Sequence, residues 1–153
     1  MKKLNIDSKE LGVLASMMRK VEFFTPLTIG QLDKILPTIM LYHYDKGETV
    51  FSQGQKGDAF YIIYQGAVEI RLNRWLVMSK TVASLKPGDF LGEIALISDE
   101  PRTATVVCAE PAKIFVLTAE DFRFVLNENP AAASEMRRIA ARRKFDTSHQ
   151  SDS

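Results

Sequence analysis

Cysteine, histidine and long apolar runs are scarce in this sequence of 153 residues. The single cysteine, Cys108, excludes an internal disulfide and a cysteine-based metal cage, and it is typical of a reducing cytoplasm. His43 and His149 are too few for a metal-dependent enzyme whose ligands converge inside a barrel. No apolar run approaches the roughly 20 residues of a membrane span, and the N-terminus lacks the apolar region of a signal peptide. We therefore expect a cytoplasmic protein without a membrane segment or a metal.

An excess of charge of one sign is also lacking. Lys and Arg number 20, Asp and Glu number 19, and the net charge is +1. Such a balance gives no overall attraction to nucleic acid, membranes or polyanions, so only a local patch could provide one. Hydrophobic residues make up 46% of the chain and charged residues 25%, which is ordinary globular composition. The length suits one domain with short flanks, and a mainly disordered chain is excluded.

Helical patterns occupy the N-terminal segment, residues 1–39. Apolar residues at spacings of three and four predict a first helix over Ile6–Val21. Thr28 and Gln31 have the spacing of a capping box and predict a second helix, which ends before Pro37.

Short β-rich runs separated by glycines fill residues 40–117. Ala59–Tyr64 and Ile114–Leu117 are continuous apolar runs, which suit strands with two covered faces. Val68 and Ile70 begin a strict alternation with polar residues, the period of a half-buried strand. Eight strands fit this region, so we predict an α+β, mainly β fold: an eight-stranded jelly-roll β-barrel flanked by helices.

Two further helices are predicted over residues 118–145. Thr118 and Asp121 are spaced as a capping box, and Pro130 is well placed at the first position of the last helix. The polar residues 146–153 are expected to form a disordered tail. Without an internal repeat or a linker, one domain is the simplest interpretation.

The segment Phe90–Val106 breaks the strand pattern. Glu93–Ile97 predicts one turn of helix, and Gly92 ahead of it allows another group to approach the backbone closely. The N–H groups at such a helix start, with the guanidinium of Arg102 at the start of the next strand, can bind a phosphate. The carboxylate of Glu93 can accept hydrogen bonds from a sugar hydroxyl. Either residue alone is more often structural, but the pair at this spacing predicts a phosphate and sugar site.

Gly-Glu-Ile-Ala-Leu, four residues, and then Pro-Arg-Thr-Ala-Thr-Val resembles the phosphate-binding cassette of cyclic-nucleotide-binding domains. Protein kinase A regulatory subunits, catabolite activator proteins and cyclic-nucleotide-gated channels carry such domains. The resemblance covers Phe23–Phe145 and includes upstream pairs such as Gln53-Gly54 and Gly57-Asp58. It implies a jelly-roll receptor that binds cAMP or cGMP, with no other cofactor. No residue is placed for hydrolysis, so we expect the ligand to leave unchanged and the protein not to be an enzyme.

The resemblance also implies roles for particular residues. Arg102 would pair with the cyclic phosphate, and Glu93 would bind the ribose 2′-hydroxyl. The N–H groups of Ala95 and Thr103 would help to complete the cradle, with Gly92 and Ile94 beside them.

The base is less well determined. Its apolar contacts would be Ile70, Leu72 and Leu91, although core packing is an equally good interpretation of each. Leu91 stands where the family frequently has an aromatic residue. Thr103 often accompanies cGMP in the family, yet some members with Thr prefer cAMP, and it is also an ordinary strand residue. We favour cAMP, the commoner ligand of stand-alone and channel-type domains, and leave the choice open.

The last helix is rich in Arg and Lys, which could form a nucleic-acid or membrane patch. A solvated helix end is the preferred interpretation, because cations favour helix C-termini. Arg143 lies on the same face as Met136, Ile139 and Ala140. In the family this helix closes over the base, where Arg143 could stack on the purine; its stem could equally cover apolar surface.

The resemblance therefore implies a ligand-operated switch that regulates an unidentified protein partner, with the two helices of residues 118–145 as its hinge and lid. The residues after Pro130 are too few for an appended helix-turn-helix, so nucleic acid is not the expected partner. Two alternatives keep the same fold: a nucleic-acid-binding domain that uses the basic helix, and a ligand-free protein-interaction domain.

Overall fold

A computed structural model describes the backbone of residues 1–72 and 80–151, and the side chains of residues 1–72 and 81–142. The N-terminal part contains a short strand, two α-helices and two 3-10 helices. They are β1 (Lys2–Leu4), α1 (Ser8–Arg19), the 3-10 helix Glu22–Phe24, α2 (Ile29–Ile35) and the 3-10 helix Leu36–Thr38.

Side-chain caps fix the starts of both α-helices. Asp7 accepts a hydrogen bond from the Glu10 N–H at 2.7 Å, so α1 begins at Ser8 rather than at Ile6. The capping box predicted for α2 is present: the Gln31 N–H donates to Thr28 Oγ1 at 3.1 Å, and the Thr28 N–H donates to Gln31 Oε1 at 2.9 Å. These local bonds place both helices close to the positions that the sequence predicts.

The remaining strands form two antiparallel sheets with β1. They are β2 (Met40–Tyr44), β3 (Thr49–Phe51), β4 (Ala59–Gln65), β5 (Val68–Leu72), β6 (Lys80–Leu85), β7 (Phe90–Leu91), β8 (Thr105–Cys108) and β9 (Ala112–Thr118). The sheet orders are β1-β2-β9-β4-β7 and β3-β8-β5-β6. The described residues thus contain nine strands rather than the eight predicted. The extra strand is β1, which pairs with β2 inside the segment predicted to be helical.

The central strands β4 and β9 are covered on both faces, as their continuous apolar runs predict. Phe60 and Ile62 of β4 belong to a core cluster shared with the helices. Tyr61 and Ile63, which alternate with them, belong to a second cluster with residues of β5 and β8. Successive residues of one strand therefore face different parts of the molecule.

Two helices follow β9: α3 (Ala119–Leu126) and α4 (Pro130–Ser151). Thr118 caps α3 by accepting from the Asp121 N–H at 3.3 Å, but the predicted capping box is incomplete. The Asp121 carboxylate instead accepts from the Thr118 hydroxyl at 3.0 Å. Pro130 opens α4 as predicted, but the helix continues beyond the predicted end at Phe145, since no Gly or Pro follows to stop it. Within the described ranges, no helix is long and apolar enough to cross a membrane.

Candidate phosphate and nucleotide site

A cavity of about 430 Å³ opens among β5, β6, β7 and the segment between β7 and β8. Its volume lies in the range of small-molecule sites. All the predicted site residues except Arg143 line it: Ile70, Leu91, Gly92, Glu93, Ile94, Ala95, Arg102 and Thr103. The side chain of Arg143 lies outside the described residues.

The short helix at the cavity is a 3-10 helix, Glu93–Leu96, close to the single turn that the sequence predicts. Gly92 precedes it in the left-handed region, at φ +86°. A Cβ atom on this residue would lie 2.7 Å from Nη1 of Arg102 and 2.9 Å from the carbonyl oxygen of Ala59. Both the backbone angle and the space therefore require glycine, and the close approach expected at Gly92 is made by Arg102 itself.

Arg102 is a buried cation at the wall of the cavity, with 8% of the residue exposed. Nη2 donates to the carbonyl oxygen of Ala59 at 2.7 Å. The guanidinium carbon lies 4.2 Å from the centre of the Phe51 ring and 5.6 Å from that of Tyr61. Nε is buried and makes no hydrogen bond within the described part of the chain. The side chain is thus held in place while part of its donor capacity stays available.

Burial lowers the pKa of the Arg102 guanidinium, because the low-dielectric surroundings disfavour its charge. Tyr61 and Asp58 act in the opposite direction. Burial also raises the pKa of the neighbouring Tyr61, and the charge of Arg102 opposes that change. The carboxylate of Asp58 approaches only to 4.0 Å and its side chain is 80% exposed, so it is a weak partner. An anion bound in the cavity would compensate this buried charge at closer range.

Glu93 and Thr103 occupy different surroundings. Glu93 is 9% exposed and begins the short helix, with its side chain at the cavity wall. Thr103 is exposed and lies before β8, which begins at Thr105. The sequence places Arg102 at the start of that strand, and this is wrong. The Arg102 N–H instead donates to the Gln55 carbonyl at 2.6 Å, in a loop-to-loop contact.

The other wall of the cavity is apolar. Ile70 and Leu72 of β5 are partly buried, and Leu91 of β7 is 9% exposed. Ile70 also packs against the second core cluster, so it serves the core and the cavity together. Val82, 45% exposed, joins this wall from β6 and was missed by the sequence analysis. Its neighbours are Thr81 and Ala83, so no polar and apolar alternation marked it in the sequence.

Phe51 and Tyr61 are further residues that sequence reasoning missed. Their rings pack on each other, with centres 5.6 Å apart, and lie under the Arg102 guanidinium. The continuous apolar run of β4 pointed to a buried strand but gave no indication that one of its side chains contacts the cassette.

The apolar face of α4 lies on the N-terminal helices. Met136, Ile139 and Ala140 are buried in the first core cluster, and α4 packs against the 3-10 helix Glu22–Phe24. Arg142 Nη2 donates to Glu22 Oε1 at 2.5 Å. No residue from the part of α4 with described side chains lines the cavity. The part of α4 with described side chains therefore does not cover the cavity.

The sequence of this chain is similar to those of known proteins. The family model for the cyclic nucleotide-binding domain matches residues 41–129. A cAMP-dependent protein kinase regulatory subunit of Mycosarcoma maydis is 31% identical over 132 residues, covering 84% of this chain and 25% of that protein. A cGMP-dependent protein kinase of Caenorhabditis briggsae is 32% identical over 117 residues, covering 75% of this chain and 16% of that protein. The chain thus spans a minor part of the length of these relatives.

A structural comparison gives the same result. The cAMP-bound structure of PfPKA-R superimposes with a TM-score of 0.74 at 25% identity, covering 80% of this chain and 44% of that one. Domains of this type regulate rather than catalyse. The expected cassette, the open cavity beside it and the matched residues support one conclusion: the chain belongs to the cyclic nucleotide-binding domain family.

Proposed function

We propose that this chain is a cyclic-nucleotide receptor module. It binds cAMP without covalent chemistry and regulates a protein partner by moving its C-terminal helices. The buried guanidinium of Arg102 carries this proposal, because Nε has no hydrogen-bond partner in the described residues and the charge lies beside a cavity of suitable volume. A cyclic phosphodiester has a single negative charge, which one Arg balances.

The polar wall suits the sugar and phosphate half of the ligand. Arg102 would bind the phosphate, and the N–H groups of the short helix would complete the cradle. Glu93 at the start of that helix would accept a hydrogen bond from the ribose 2′-hydroxyl. These contacts only bind and orient the ligand, which would leave unchanged.

The apolar wall suits a purine base. The cavity lining there includes Ile70, Leu72 and Leu91. Their apolar side chains can pack on a purine ring without selecting particular hydrogen-bonding groups, so the bases of both cAMP and cGMP would fit. Thr103 is exposed and lines the cavity, where its hydroxyl could bond the guanine amino group. We propose cAMP as the preferred ligand, and the affinity ratio of the two nucleotides tests this choice.

The switch would involve α4. Its apolar face lies on the 3-10 helix Glu22–Phe24, and none of its described side chains lines the cavity. A ligand shifts such an equilibrium only if it binds the closed arrangement more tightly. Closure of α4 over the base would supply that difference, and stacking of Arg143 on the purine stays a prediction. A protein partner would then sense the released surface of the N-terminal helices.

Calorimetric titration of the nucleotide-stripped chain with cAMP and then with cGMP tests the proposal. We expect saturable binding of one nucleotide per chain, with cAMP tighter. Tighter cGMP binding would reverse the ligand preference, and a larger loss of cGMP than of cAMP affinity in Thr103→Ala would assign base selection to Thr103. If neither nucleotide binds, the receptor function is wrong, and the fold would serve protein interaction alone.

A further inference from the structure

Arg123 of α3 holds the C-terminal end of the short helix at the cavity. Its Nε donates to the Leu96 carbonyl at 3.2 Å, and its Nη2 donates to the Ala95 carbonyl at 3.3 Å. The remaining nitrogen, Nη1, donates to Asp99 Oδ1 at 3.2 Å. The last carbonyls of a helix lack intrahelical partners and favour a cation, so a single guanidinium meets the needs of this end.

The short helix is thus held at both ends by arginines from different parts of the chain. Arg102 lies against Gly92 at its N-terminal end, inside the cavity. Arg123 lies at its C-terminal end and belongs to α3, outside the cavity lining. A shift of the short helix on ligand binding would therefore pull directly on α3.

The far end of α3 is tied to the N-terminal helices. Lys34 Nζ of α2 lies 2.8 Å from Glu128 Oε2, and Asn129 Nδ2 donates to Gln31 Oε1 at 3.2 Å. Pro130 follows at once and begins α4. Polar contacts therefore hold α3 at two places: Arg123 joins it to the short helix, and the residues that follow it are joined to α2 at the junction with α4.

Apolar packing also joins the short helix to α3, since Leu96 and Phe122 are fully buried in one cluster. Such packing is non-directional and would tolerate sliding. The three bonds of Arg123 fix direction and distance, and the side chain is 38% exposed, so its replacement leaves the core intact.

We infer that Arg123 is a positioning residue that couples occupancy of the cavity to release of α4 from the 3-10 helix Glu22–Phe24. This inference rests on the proposed cyclic-nucleotide receptor function. Coupling between two sites is a free energy that is measured as the effect of one on affinity at the other. Arg123 would carry that effect without touching the ligand.

A thermodynamic cycle on the full chain tests the inference, with cAMP affinity measured by calorimetry. Glu22→Lys removes the ion pair with Arg142 and places two positive charges together. Their repulsion should loosen the contact between α4 and the N-terminal helices. Because that contact competes with lid closure, we expect cAMP to bind about fivefold more tightly to this variant than to the parent. In an Arg123→Gln background, the same change should alter affinity by less than about twofold.

Arg123→Lys is the second background. It keeps the charge and the fold but cannot bridge two carbonyls and a carboxylate, so we expect the effect of the Glu22 change to be lost here too. Arg138→Gln is the matched control: Arg138 is exposed and pairs with Glu135 within α4. It should leave the effect at about fivefold.

The outcomes separate the two proposals. An effect of Glu22→Lys that persists in both Arg123 backgrounds overturns the inference and leaves the receptor function standing. The inference is also wrong if the parent binds cAMP but Glu22→Lys has no effect, because α4 release would then be uncoupled from the cavity. Failure of the parent to bind any cyclic nucleotide would remove the receptor function itself.

Discussion

Arg102 combines burial, two aromatic neighbours and a donor, Nε, that has no hydrogen-bond partner among the described residues. Replacing it with Ala removes the charge that would pair with the phosphate, so we expect cAMP affinity to fall by more than about tenfold in calorimetry. Arg138→Ala removes an exposed arginine and should leave the affinity unchanged. Retained affinity in Arg102→Ala would show that the phosphate binds elsewhere.

Glu93 carries a prediction about the sugar rather than the charge. Its place at the start of the short helix suits a hydrogen bond from the 2′-hydroxyl, so Glu93→Ala should lose most of the preference for cAMP over 2′-deoxy-cAMP. Competition binding with the two nucleotides measures this ratio. Glu100, an exposed carboxylate that also lines the cavity, is the matched control, and Glu100→Ala should keep the preference. An unchanged ratio in Glu93→Ala would remove Glu93 from sugar recognition.

Site residues that are close in sequence were predicted, and those that come from distant strands were not. Gly92, Glu93 and Arg102 lie in one short segment, so their residue types and spacing could indicate that they lie together at one site. All three line the cavity. Phe51 and Tyr61 come from distant strands, and only the packing of those strands places their rings under the guanidinium. Patterns in the local sequence therefore do not predict these contacts.

The cap of α3 gives a prediction at the level of an element. The Thr118 hydroxyl accepts from the Asp121 N–H and donates to the Asp121 carboxylate, so Thr118→Ala removes both bonds. We expect the free energy of unfolding to fall by about 1 kcal/mol, measured by urea denaturation. Thr118→Ser retains the hydroxyl and should recover most of the loss. Equal stability of the Ala variant would mean that strand and core contacts alone set the start of α3.

Elements whose signals are local were predicted well, and those that depend on partners were not. The capping box of α2 involves residues three apart, so the sequence contains it entirely. The strand β1 is only 3 residues long and exists through its pairing with β2, which no periodicity reveals. The end of α4 was predicted too early, at Phe145. The residues after Phe145 include no Gly or Pro that would stop a helix.

The whole molecule is expected to respond to ligand with opposite changes in two regions. Binding should slow amide hydrogen exchange in the short helix Glu93–Leu96, because the phosphate contacts its N–H groups. Release of α4 should speed exchange at Phe24 and Thr25, whose N–H groups bond within the 3-10 helix that α4 packs against. Mass spectrometry of exchanged peptides, with and without cAMP, measures both. Protection in both regions would indicate stiffening without release, and Arg102→Ala should show neither change.

The strand β4 contacts both the cavity residue Arg102 and the 3-10 helix beneath α4. Tyr61 lies under the guanidinium of Arg102, while its neighbour Phe60 packs edge-on against Phe24, at 5.1 Å between ring centres. A change in the position or twist of this strand would alter the receptor's sensitivity and its output together. Ligand preference would therefore be varied best at Val82 of β6, which lines the cavity, is 45% exposed and belongs to neither core cluster.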